Sequence, residues 1–243
     1  KKKKNFTPTN ITQYDVVLDS PTRNWCHMNP LSDDSTVPTV YTRGNLGVTL
    51  PSSGGFEPSV PTFLLPRSGQ WYWEFRTGQG GSNVYGRPSI ILADRFYEET
   101  NDRDQITGGN QGNDGILFTS NDGGKRIANS DSSFGNAVSA NDIIGLAYNA
   151  DTGQWFIYIN NTIQNSGTAI NETIKGNFAG KDVFFMYERY LGGGVDYFNF
   201  GQDSSFGGVV TSGSGEAQDA NGVGDFFYTP PSGYLALAST NLP

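Results

Sequence analysis

Residues Asp142 to Asn161 read DIIGLAYNADTGQWFIYINN, two apolar arms around a short polar turn. Ile144, Leu146 and Tyr148 alternate along the first arm, and Trp155, Ile157 and Ile159 along the second. A side-chain period of two marks a strand, and each arm is short for a helix. Between them, Ala150-Asp151-Thr152-Gly153 supplies Asp and Gly, which tolerate the positive φ of a hairpin loop. The intervening positions Ile143, Ala147, Phe156 and Tyr158 are apolar as well. Both faces of this hairpin are therefore expected to be covered, as in a sandwich with further loops packed outside.

Working outward, Gly69 to Arg76 (GQWYWEFR) gives the strongest single strand. Trp71, Trp73 and Phe75 share one face, and Tyr72, Glu74 and Arg76 the other. Three large aromatics on one face bury on the order of 150–250 Å² each, which makes this a central core strand. Further strands are expected at Ser89–Ala93, Gly115–Thr119, Asp182–Tyr187, Val195–Phe200 and Tyr234–Ala238. Residues 1–66 are punctuated by prolines, which cannot donate to a ladder, and hold three short strand candidates, Tyr14–Leu18, Thr39–Tyr41 and Leu46–Leu50. The expected layout is an extended N-terminal arm over 1–43 and a β-sandwich domain over 44–243. Two long polar loops are expected, between the Ser89 and Gly115 strands and over 203–225.

Composition bounds the function. Of 243 residues, 13% are aromatic, 16% charged and 32 are Gly, the profile of many short strands joined by polar loops. Net charge is −8, and Lys1–Lys4 read as a solvated terminal run, so the body that follows carries 12 basic against 24 acidic residues. Such a body repels nucleic acid, and no basic patch interleaved with aromatics occurs. One cysteine, Cys26, excludes an intrachain disulfide and fits assembly in a reducing cytosol. No apolar run approaches a membrane span and no signal-peptide pattern is present, so neither membrane insertion nor ordinary secretory export is expected.

Five blocks, in order, resemble a SPRY domain. They are Ser68–Glu74, Asp142–Tyr148, Trp155–Asn161, Asn199–Gln202 and Pro230–Leu237. Asp19–Asn24, Asn29–Leu31 and Thr240–Pro243 resemble in particular the SPRY-like domains of phage and environmental-virus structural proteins. One departure is the turn after the second hairpin arm, where the family's Asn-Gly is replaced by Asn160-Asn161, a pair that still adopts positive φ. The resemblance implies an all-β, bent two-sheet antiparallel sandwich of the concanavalin-like type and a non-enzymatic interaction module without cofactor. The expected protein is a virion component, a phage fibre, tail or capsid decoration assembled in the host cytoplasm and present as a homo-oligomer or in many copies on the particle. Its arm would dock on other virion proteins, and its loops would meet a host surface glycan or protein. A carbohydrate-binding adhesin and an intracellular peptide-binding adaptor are the two alternatives.

Candidate chemistry is sparse. His27 beside Cys26 suggests a metal, but the chain has no second His or Cys to complete a tetrahedral set. Glu74 and Asp196 are lone acids on their strands, not the facing pair a glycosidase needs. Asp102, Asp104, Asp114, Asp122 and Asp131 match no EF-hand spacing and read as solvated turn residues. Tyr and Arg are favoured at binding hot spots, so Tyr85, Arg87, Arg95, Phe96, Tyr97 and Arg103, expected on loops, are the candidate recognition residues.

Overall fold

The computed structural model describes residues 23–32, 39–49, 57–78, 85–93, 115–127, 130–171, 178–190, 194–211 and 217–243. Their strands run in chain order as β1 (Val40–Thr42), β2 (Gly47–Thr49), β3 (Glu57–Ser59), β4 (Gln70–Arg76) and β5 (Tyr85–Leu92). Next come β6 (Gly115–Thr119), β7 (Gly124–Ile127), β8 (Ser130–Ser133), β9 (Ile143–Asn149) and β10 (Gln154–Ile159). The last are β11 (Thr162–Ile163), β12 (Ile170–Asn171), β13 (Val183–Tyr190), β14 (Asp196–Asn199) and β15 (Leu235–Ala236).

These strands form two sheets, as the all-β sandwich reading requires. The larger has nine strands in the order β1-β2-β14-β4-β9-β10-β11, with β12 on β10 and β15 on β4. The smaller has six, β3-β13-β5-β6-β7-β8. All pairings are antiparallel except β15 with β4, where Leu235 and Ala236 run parallel to Trp71 and Tyr72.

The β9–β10 hairpin has the register its alternation demands, with Trp155 opposite Tyr148 and Ile157 opposite Leu146. Gly153 takes φ 69°, and Asn149 Oδ1 accepts the amides of Asp151 and Thr152 to brace the turn. Asn160 and Asn161 both adopt positive φ, 47° and 65°, and close the following β10–β11 turn.

Between the sheets lies one large apolar cluster. Trp73 meets Phe185 edge-on at 5.1 Å, and Phe75 packs on Phe198 at 5.6 Å and on Tyr187 at 5.2 Å. Each sheet also carries a second apolar layer outside. On the nine-stranded sheet, Trp25, Tyr72, Ala147, Val223, Phe226, Tyr234, Ala236 and Ala238 cluster, with Phe156 and Tyr158 half-buried against them. The C-terminal segment thus supplies the covering chain that the doubly apolar hairpin predicts. Outside the six-stranded sheet, Val60, Ile91, Ala93, Phe184 and Met186 form a smaller cluster.

Part of the stretch read as an arm is integrated with the sandwich. Trp25, Cys26 and Met28 are buried; Trp25 bridges Ala238, Met28 bridges Pro61, and the Cys26 amide donates to Leu237 O at 3.0 Å. Val40–Thr42 pair with β2. Residues 1–22 and 33–38, with the Tyr14–Leu18 strand candidate, lie outside the described residues.

Candidate functional site

Of the six candidate recognition residues, Arg95, Phe96, Tyr97 and Arg103 lie outside the described residues, as do Asp102, Asp104 and Asp114. Tyr85 opens β5 opposite Tyr190 of β13. Arg87, expected on a loop, is a mid-strand residue of β5. Gly86 and Pro88 flank it and read as chain breakers, yet all three pair with β13, Arg87 directly opposite Glu188. Its register neighbours Ile90 and Leu92 join the central core while Ile91 joins the outer cluster, so strand alternation puts Arg87 on the outer face.

There Arg87 lines a polar cleft of about 440 Å³ together with Thr119, Asn121, Asp122, Gly124, Lys125, Arg126, Asp131, Ser132 and Ser133. The β6–β7 turn and the β7–β8 hairpin build it, with Gly124 opposite both Thr119 and Ser133. A Cβ at Gly124 would lie 2.7 Å from Thr119 Oγ1 and 3.0 Å from Asp122 Oδ1. The cleft therefore has a bare backbone floor where an ordinary side chain would crowd its walls. Thr119 Oγ1 and the Gly124 amide donate to Asp122 Oδ1 and fix that turn. Among the described lining residues none is aromatic, and the buried side-chain oxygen of Asn121 has no hydrogen-bond partner.

The charges form a stripe across the outer face. Glu188, fully buried, approaches Arg87 Nη1 at 3.7 Å. Arg126 donates Nε to Asp131 Oδ1 at 2.6 Å and Nη2 to Asp131 Oδ2 at 2.7 Å, a bidentate fork. Burial pushes the Arg87 guanidinium below its ordinary range, an effect Glu188 opposes and Arg126 reinforces. The hydrogen bond to Asp131 raises Arg126, and the same fork lowers Asp131. Lys125 Nζ sits 5.6 Å over the Phe134 ring.

Two other acids are enclosed. Glu74 Oε1 accepts the Tyr228 amide at 2.9 Å and the Tyr72 hydroxyl at 3.0 Å; Oε2 accepts the Phe227 amide at 2.9 Å and Asn199 Nδ2 at 3.3 Å. Burial nevertheless pushes its carboxyl up to about 7, with those donors pulling the other way. Asp196 accepts the Gly78 amide at 2.9 Å, the Tyr187 hydroxyl at 2.8 Å and Arg189 Nη1 at 2.7 Å. Burial raises it too, against the pull of Arg189. Phe75 and Phe198, opposite one another, both join the inner core, so Asp196 faces inward and Glu74, opposite Asn199, faces outward. The sheet separates the two carboxyls, and neither can serve as the other's partner in acid–base work.

Cys26 and His27 diverge as adjacent extended residues do. The Cys26 thiol is buried in the core and pushed up to about 12 by desolvation, while His27 Nδ1 meets Met28 O at 2.9 Å. Among the described residues no group of three His, Cys, Asp or Glu side chains is placed to hold a metal ion.

No family model matches this sequence, and no curated protein is similar to it. The SPRY domain of human HERC1 is similar in structure, with a TM-score of 0.50 at 12% identity over 70% of this chain and 96% of that one. The fold is SPRY-like. A second human SPRY domain aligns with a TM-score of 0.47 at 14% identity, over 66% of this chain and 93% of that one. The SPRY-like sandwich brings Arg87 together with Lys125 and Arg126, which sequence reasoning did not single out, and with Asp131, which it read as a solvated turn. This likeness does not support the viral character of the resemblance, which comes from the sequence blocks Asp19–Asn24, Asn29–Leu31 and Thr240–Pro243.

Proposed function

We propose that this chain is a non-enzymatic recognition module that engages a protein partner through the Arg87–Arg126–Asp131 cleft. The observation that carries the reading is the cleft itself: its floor is kept bare at Gly124, and its walls carry both charge signs. The buried acids Glu74 and Asp196 are spent internally. Each oxygen of Glu74 and Asp196 already accepts protein hydrogen bonds, so neither acid is offered to a substrate. A glycan-binding cleft would present an aromatic ring for stacking, and the described lining residues include none.

The finer placement is on a virus particle, as a multicopy structural or decoration component. It is supported by the blocks Asp19–Asn24, Asn29–Leu31 and Thr240–Pro243. Repetition on a symmetric particle would let weak single contacts act together. Mass-spectrometric quantification of the chain in purified intact virions, against the major capsid protein, tests this placement. A fixed stoichiometry is expected. Absence from particles, with free protein in infected cells, would move the module to an intracellular adaptor role.

A further inference from the structure

We propose that the cleft takes an acidic side chain of an extended peptide, and that Asp131 is a built-in competitor for that place. The inference rests on the recognition reading above and names the ligand class. Three of the twelve basic residues after Lys4 line this one cleft, against two acids, Asp122 and Asp131, in a body whose net charge is strongly negative. Arg87 is desolvated there, its side chain only 11% exposed, so an anion brought beside it gains more than it would in water. Arg126 already shows how a carboxylate binds, holding Asp131 in a two-pronged fork at 2.6 and 2.7 Å. The planar guanidinium suits carboxylate geometry and favours this exchange over capture by a point charge.

Asp131 is a weakly committed occupant. Its side chain is 63% exposed on β8, the terminal strand of the six-stranded sheet, and all four β8 residues are exposed. Water reaches the Asp131 end of the pair, whose side chain is 63% exposed against 20% for Arg126, so an incoming carboxylate can exchange with it on the guanidinium. The buried, unpartnered oxygen of Asn121 selects between ligands that carry an anion. A peptide offers backbone N–H donors beside its carboxylate, whereas an inorganic anion offers acceptors only.

The test is a titration of the ¹⁵N-labelled protein with hexaglutamate, following the arginine Nε–Hε resonances at low ionic strength. Saturable shifts of Arg87 and Arg126 are expected, with none from hexalysine. Asp131→Asn should bind up to about fivefold more tightly, the equilibrium equivalent of removing one partly exposed competing ion pair. Arg126→Gln should lose the response while its amide spectrum away from the cleft stays unchanged, and Arg87→Lys should weaken it. Equal shifts from inorganic sulfate, or a stronger response to a sulfated oligosaccharide, would overturn the peptide assignment. So would silence of both arginines in wild type and Asp131→Asn. Were hexaglutamate to fail while uncharged hexaserine shifted the cleft amides of wild type and not of Gly124→Val, the ligand class would fall and the recognition role would stand.

Discussion

Glu74 and Asp131 are both acids on the outer face of a sheet, and their surroundings are opposite. Glu74 lies under the C-terminal segment, fully buried, with four protein donors on its two oxygens. Asp131 lies on a bare terminal strand, largely exposed, with one guanidinium as its ion-pair partner. The difference separates polar groups that hold this fold from polar groups it can offer. A buried acceptor that loses its donors incurs a full desolvation penalty, so the covered face admits no exchange of partners. On the exposed strand, water stands in for either partner, and exchange costs little.

The largest break in the comparison comes from the enclosed acids. Asp196→Ala leaves the Arg189 guanidinium, 1% exposed, without its carboxylate. Loss of one partner of a buried ion pair costs about 3–5 kcal/mol, and urea unfolding should show it as a lowered midpoint. Glu74 should impose a pH dependence of about 3 kcal/mol. Its folded value of about 7 lies above the ordinary glutamate value of about 4.5, so the folded state holds the proton more tightly. The stability that Glu74 contributes is therefore full below about pH 4.5 and is lost as pH rises through about 7. The urea midpoint of Glu74→Gln should lack that slope.

Substitutions at the cleft should cost the fold less. Gly124→Val forces Thr119 and Asp122 aside, an overpacking cost of about 1–3 kcal/mol, and should close the cleft; circular dichroism melts and ligand titration report the two effects separately. Asp131→Asn should move stability by less than about 1 kcal/mol, because the side chain it changes is largely exposed and water can replace it on Arg126. A thermal melt should show a shift of no more than about 4 °C.

The sequence reading reaches the covered half of this comparison and stops short of the bare half. β4, β9 and β10 are legible because large apolar side chains alternate along them. The double burial of the β9–β10 hairpin is legible in Phe156 and Tyr158. β7 (GKRI) and β8 (SDSS) carry too little apolar alternation to announce strands, since their outer face meets solvent. β3 hides behind Pro58 and the start of β5 behind Gly86 and Pro88; backbone pairing with β13 overrides those local signals. Arg87 was legible as a residue type suited to recognition, but its setting was not. Its partner Glu188 stands about a hundred positions away and reaches it only through sheet register. Glu74 reads only as a lone acid on a central core strand, because the amides that hold it belong to Phe227 and Tyr228.

The most direct measurement of the central claim is a hexaglutamate titration of Glu74→Gln beside Arg126→Gln, each paired with its urea midpoint. Glu74→Gln should change the pH slope of stability and bind as wild type does; Arg126→Gln should keep the wild-type midpoint within about 1 kcal/mol and lose binding. Loss of binding in Glu74→Gln with Arg126→Gln unaffected would contradict the division between a covered face that holds the fold and a cleft that meets the partner.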